Sequence, residues 1–243
     1  MQKEWFSSWF DTPYYHILYK NRDYNEASMF IDNITDFLKL NQGVKCWDLC
    51  CGKGRHSIYL NKKGYKVIGT DLSVQSISEA SMSANSALEF YSHDMRKLFR
   101  TNYFDVVFNL FTSFGYFDKR QDDLNVFTSV AKALKPGGLF VFDFLNAEHV
   151  KKNIATNDVK TEDNIEFTIT KTLENNTVVK SIEFTDNGVN YHFEERVKLF
   201  DKLYFESLAR DCGLNILNTF GNYNLDEFEL SQSPRLILVL QKK

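Results

Sequence analysis

Asp48-Leu49-Cys50-Cys51-Gly52-Lys53-Gly54-Arg55-His56 begins inside the apolar run Val44–Leu49 and leads into a helical pattern over Arg55–Lys63. A strand, a turn with two glycines and a helix are predicted in that order. Glycine at 52 and 54 permits torsions and close approach that a Cβ would forbid. A ligand can therefore lie on the turn, against the positive end of the following helix. Seventeen residues after Gly54, the strand predicted over Tyr65–Asp71 ends in Gly69-Thr70-Asp71-Leu72-Ser73. An acid placed there suits the two hydroxyls of a ribose. A Gly-x-Gly pair alone reads equally well as a tight turn. Asp48 before it and Asp71 at the next strand end decide for a nucleoside cofactor.

The same alternation continues outward. A helix is predicted over Ser73–Ser83, strands over Ala87–Ser92 and Phe104–Leu110, and a helix over Asp122–Leu134 that Lys135-Pro136-Gly137-Gly138 stops. Gly138–Leu145 is a fifth strand. Near-continuous apolar strands separated by helices predict a parallel sheet covered on both faces. Upstream, apolar positions from Ala27 to Leu38 repeat at helical spacing within Asp23–Leu40, with Gly43 as the stop. Downstream, three alternating strands (Ile165–Leu173, Val178–Thr185 and Tyr191–Leu199) form an antiparallel meander, with Asn187-Gly188 as a hairpin turn. Helix Lys202–Cys212 and a closing strand pair, Leu214–Tyr223 and Arg235–Gln241, complete the chain. The division expected is an aromatic, helical cap over 1–42, a core over 43–146 and 200–243, and a β insertion over 147–199.

Composition narrows the function. The 243 residues are 43% hydrophobic and 25% charged, with a net charge of −3, so no global attraction to nucleic acid or anionic membrane is expected. No apolar run approaches the ~20 residues of a membrane span, and no export signal is visible. The four cysteines include the adjacent pair Cys50-Cys51 and form no Cys-x-x-Cys, so reduced thiols and a cytoplasmic location are expected. No Cys/His cluster has metal-binding spacing. Aromatics reach 15%, and seven of them crowd between Trp5 and Tyr19.

The glycine turn distinguishes two nucleotide classes. A dinucleotide site prefers a third glycine where Ser57 stands. Asp48-x-x-x-Gly52-x-Gly54 instead resembles the signature of class I S-adenosylmethionine-dependent methyltransferases. The likeness runs through His93-Asp94-Met95, Phe104–Leu110 and Leu134–Gly138, covering Gly43–Asp143 and Asp201–Lys243. It implies an α/β fold: a doubly wound, mostly parallel, seven-stranded Rossmann-like sheet with an antiparallel last strand, plus the inserted meander. Tyr15–Ala27, Asp94-Met95-Arg96 and Phe111-Thr112-Ser113-Phe114-Gly115 are similar to segments of sugar N,N-dimethyltransferases. Lys53, where those enzymes carry a small Thr or Ser, departs from the pattern.

The resemblance implies S-adenosyl-L-methionine as cofactor and assigns roles to residues. Asp48 orders the glycine loop and faces the methionine ammonium, Gly52 and Gly54 admit the cofactor, and Asp71 with Leu72 holds the ribose. Asp94 and the Met95 backbone meet the adenine, and Asn109 stands beside the methionine portion. Tyr15, Tyr19 and Arg22 form a lid. Asp94 could instead cap a helix over Met95–Phe99. Histidines 16, 149 and 192 are candidate bases, and no catalytic residue is assigned. The expected activity is methyl transfer to nitrogen or oxygen of a small molecule. Protein or RNA methylation and a catalytically silent cofactor-binding module are the alternatives. The meander is expected to cover the acceptor pocket and to offer a homodimer contact.

Overall fold

The structure, a computed structural model, describes residues 4–20, 24–154 and 157–243. Two short helices, α1 (Trp5–Trp9) and α2 (Pro13–Leu18), precede α3 (Tyr24–Phe37). Then β1 (Lys45–Leu49), α4 (Arg55–Lys62), β2 (Lys66–Asp71), α5 (Val74–Ala80), β3 (Leu88–Ser92), β4 (Phe104–Asn109), α6 (Arg120–Ala133) and β5 (Leu134–Leu145) alternate. After α7 (Ala147–Asn153) come four strands: β6 (Asn157–Glu162), β7 (Ile165–Glu174), β8 (Thr177–Asp186) and β9 (Val189–Lys198). Helix α8 (Lys202–Asp211), β10 (Leu214–Phe220) and β11 (Arg235–Lys242) follow.

The main sheet has the order β10-β11-β5-β4-β1-β2-β3. Its strands run parallel except β11, which is antiparallel to both β5 and β10. The central strands are buried on both faces, which is why they read as continuous apolar runs. Trp47, Val107 and Phe142 pack on one side with Phe127 of α6 and Phe205 of α8. Cys46, Phe108 and Val141 pack on the other with Phe30 of α3 and Leu60 of α4.

Strands β6–β9 form a separate antiparallel sheet in chain order. Each of its three hairpins turns on two consecutive left-handed residues: Asp163-Asn164, Asn175-Asn176 and Asn187-Gly188. One face of this sheet packs Phe167, Ile182 and Phe184 against Trp9 and Leu18 of the N-terminal helices. The two short helices thus lie between the second sheet and the core. Thr12 caps α2 by accepting the N–H of Tyr15, and Pro13 occupies the first helical position.

Three expectations need correction. The inserted region is four strands preceded by α7, not three strands. β6 is an edge strand with one apolar side chain, Val159, which is 60% exposed, so no alternation marks it. The first long helix stops at Phe37, two residues before Lys39 takes the left-handed conformation (φ 49°), rather than running to Leu40 with Gly43 as its stop. The helix over Met95–Phe99, the alternative reading of Asp94, does not form: Met95 and Arg96 make a turn and the chain then runs on without regular structure. Among the described residues no helix is long and apolar enough to cross a membrane.

Candidate active site

At the C-terminal ends of β1, β2, β4 and β5 the core encloses a cavity of about 510 Å³, roofed by α1, α2 and β9. Open parallel sheets bind ligands at this end, where the strand order reverses. Here the reversal falls between β1 and β4.

Residues of the glycine turn divide into two groups. Gly52 lines the cavity at φ 54°, and a Cβ added there would meet nothing within 4 Å, so it would project into open space. Gly54 (φ 80°) lies behind, where a Cβ would meet Phe90 Cε1 at 2.7 Å. One glycine keeps the cavity floor bare and the other lets the turn close on β3. Asp48 also lies behind the turn. It is 1% exposed, accepts the Ser57 hydroxyl at 2.6 Å and does not line the cavity. Burial pushes its carboxyl up to about 6, against the Ser57 hydroxyl and backbone N–H.

Asp71 ends β2 and faces the cavity, with Leu72 beside it. Its Oδ2 accepts the Gly52 N–H at 2.8 Å and its Oδ1 the Ser73 N–H at 2.9 Å. Burial raises this carboxyl above its ordinary value, against those backbone donors. Asp94 and Met95 line the next stretch of wall. Burial would raise Asp94, but Arg96, which reaches both its oxygens at 2.7–3.1 Å, holds it below the usual carboxylate range. Asn109 ends β4 and donates to the Leu49 carbonyl at 3.0 Å, while its buried Oδ1 has no partner. It does not line the cavity.

The roof is polar at one point. Trp9 Nε1 and the Tyr19 hydroxyl both donate to Glu195 Oε1, at 2.8 and 2.7 Å. Lys180, directly across the β8–β9 pairing, lies 3.6 Å from the other oxygen of Glu195. Tyr15, Tyr19 and Glu195 line the cavity, so the second sheet contributes to the same space as Gly52 and Asp71. The N-terminal segment is also tied to the floor. Asp11 accepts the Ser73 hydroxyl at 2.8 Å and the Gln75 N–H at 3.1 Å. Glu4 pairs with Arg96 at 2.8 Å. Arg22 lies outside the described residues.

Of the histidines considered as bases, His16 lines the cavity, while His149 and His192 do not. His56 and His93 line it and were missed, as were Asp11, Glu195 and Thr112. Position 56 falls one residue into the helix after the glycine turn and could have been found from that. Glu195 carried no signal, because its partners lie 176 and 186 residues away.

A volume of about 510 Å³ falls in the range of pockets that enclose a small cofactor. The bare floor over Gly52, a helix N-terminus behind it and an acid at the β2 end together fit S-adenosylmethionine. Residues 47–138 match the family model described as "Methyltransferase domain". The chain is 28% identical over 207 residues to "Putative methyltransferase YqeM" of Bacillus subtilis (strain 168), covering 80% of this chain and 83% of that protein. A S-adenosylmethionine-dependent methyltransferase from Clostridium acetobutylicum ATCC 824 has the same fold, with TM-score 0.76 and 22% identity over 94% of this chain and 96% of that one. So does the sugar N-methyltransferase KedS8 from Streptoalloteichus sp ATCC 53650, with TM-score 0.73 and 16% identity over 93% and 90%. Residues 47–138 are thus a methyltransferase domain, carried on the fold of S-adenosylmethionine-dependent methyltransferases.

Proposed function

We propose that this enzyme methylates a nitrogen or oxygen atom of a small-molecule acceptor. One observation carries the reading: Glu195 and Val197, on the second sheet, line the same cavity as Gly52 and Asp71. An acceptor must therefore fit under a roof rather than lie across an open face, which suits a small molecule and disfavours a folded protein or RNA. The likeness to KedS8, a methyltransferase of sugars, supports the same class.

In this reading Asp71 accepts hydrogen bonds from the ribose hydroxyls, beside Leu72. Gly52 lets the backbone approach the cofactor, and Gly54 closes the turn beneath it. Asp94 and the Met95 backbone take the adenine. Asp48, held away from the cavity by Ser57, orders the turn from behind. Asn109 fixes the end of β4 from behind the cavity wall through Leu49. Tyr15 and Tyr19 cover the cofactor and exclude water. The cofactor supplies an activated methyl group on a sulfonium, so the protein's contribution is alignment and dryness.

The test is a panel of amines, hydroxylated metabolites, proteins and RNA, with S-adenosylhomocysteine formation as readout. Turnover on a small amine or alcohol is expected. Turnover confined to protein or RNA, or to none of these despite tight cofactor binding, would overturn the reading.

A further inference from the structure

Beyond β4 the chain makes a turn that few sequences tolerate. Phe111 and Thr112 are consecutive left-handed residues, at φ 56° and 60°, and neither is glycine. For a β-branched threonine this conformation is an outlier, and it persists only where surrounding contacts over-determine it. Those contacts converge on one buried pair.

Asp143, in the middle of the sheet on β5, is 0% exposed. Its Oδ2 accepts the Phe111 N–H at 2.7 Å and the Tyr223 hydroxyl at 3.2 Å. Its Oδ1 accepts Nε and Nη2 of Arg235, at 2.8 and 2.7 Å. Arg235 Nη2 also donates to Thr112 Oγ1 at 2.7 Å. The Phe111 ring stacks on Tyr223 at 5.1 Å and on His56 at 5.0 Å, with the Arg55 guanidinium 4.7 Å from its centre. An ion pair here is a costly way to fill a core, since apolar residues of similar volume would pack as well. Apart from the pair's own fork, its bonds end on the turn or on the tyrosine stacked against it.

We propose that Asp143 and Arg235 are positioning residues that hold Phe111 and Thr112 in the left-handed form and so shape the acceptor-side wall of the cavity. Phe111, Thr112 and His56 all line that cavity. They sit toward the β4–β5 ends, opposite the Asp71 side assigned above to the ribose. The assignment of this wall to the acceptor rests on the proposed function. The role of the pair in holding the turn does not.

Three variants test it. Arg235→Lys keeps a positive charge but cannot make the fork and reach Thr112 together. Hydrogen exchange over 111–115 should rise, affinity for S-adenosylhomocysteine should stay within about threefold, and kcat on an acceptor found by the panel should fall about tenfold or more. Thr112→Asn in that background should recover part of both exchange protection and kcat, because asparagine enters the left-handed region readily. Tyr223→Phe removes one bond to Asp143 and should show the same pattern at smaller size, which keeps the test alive if Arg235→Lys does not fold.

Unchanged exchange over 111–115 in the folded variants overturns the holding role. Faster exchange with unchanged kcat, or equal loss of cofactor affinity and kcat, overturns the acceptor-side role. A wild-type enzyme that binds S-adenosylhomocysteine and transfers to nothing in the panel contradicts the proposed function instead, and the exchange measurement still decides for or against the pair.

Discussion

Asp71 Oδ2 accepts the backbone N–H of Gly52 at 2.8 Å, which joins the acid at the end of β2 to the glycine turn after β1. The carboxylate therefore shapes the cavity floor as well as facing it. Asp71→Ala should lower affinity for S-adenosylhomocysteine about tenfold or more, since each charge-assisted bond contributes ~1.5–3 kcal/mol. Calorimetry is the check. Unchanged affinity in a folded variant would remove Asp71 from the ribose site.

Asp48 predicts a pH dependence of stability. Its folded value of about 6 lies above the ordinary 3.8, so the native state holds this proton more tightly than the unfolded chain does. Its contribution is full below pH 3.8 and is lost as pH rises through about 6. The loss is roughly 3 kcal/mol, from about 1.4 kcal/mol per pH unit. Asp48→Asn, which can still accept from Ser57, should gain in melting temperature relative to wild type between pH 4 and pH 7. A constant difference across that window would show that burial does not raise this acid.

Glu195 should matter to the roof through two donors, the buried Trp9 and the half-buried Tyr19. Glu195→Ala leaves Trp9 Nε1 and the Tyr19 hydroxyl without their acceptor. Each such loss costs ~1–3 kcal/mol, and a chain of this size loses about 2–4 °C in Tm per kcal/mol. Glu195→Gln keeps an acceptor and should melt close to wild type. Equal melting of the alanine and glutamine variants would show that the two donors find water instead.

Much of the core was legible for a simple reason. Strands such as Phe104–Asn109 are buried on both faces and helices such as α6 on one, so burial prints itself on spacing. Turn chemistry was legible at Asn187-Gly188 for the same local reason. What escaped depends on distant partners. Asp143 interrupts the apolar run around Phe140-Val141-Phe142 without marking a site, and its meaning comes from Arg235, 92 residues later. Asp11 sits inside an aromatic run, and its partners Ser73 and Gln75 lie on another element. Lys39 ends a helix in a conformation that its side chain does not advertise.

The N-terminal segment should behave as a gate. Trp9 is 1% exposed, and Asp11 and Glu4 hold the segment to the floor through polar contacts on its surface-facing residues. Hydrogen exchange over Trp5–Leu18 should be faster without ligand and slow with S-adenosylhomocysteine, and Asp11→Ala should speed the ligand-free exchange further. Such gates move on microsecond-to-millisecond timescales. Equal, high protection in both states would identify a static anchor.

Strand β11 follows the other described strands in sequence, yet it lies between β10 and β5, with Leu236–Leu240 essentially inaccessible to water. During synthesis the sheet must wait with β5 as a bare edge. β10, made earlier, has no other strand beside it among the described residues and cannot dock until β11 arrives. Arg235, the residue that opens β11, also completes the Phe111–Thr112 turn. The emerging chain therefore completes this sheet and its cavity wall in one event, and a nascent chain that has not yet made β11 has neither.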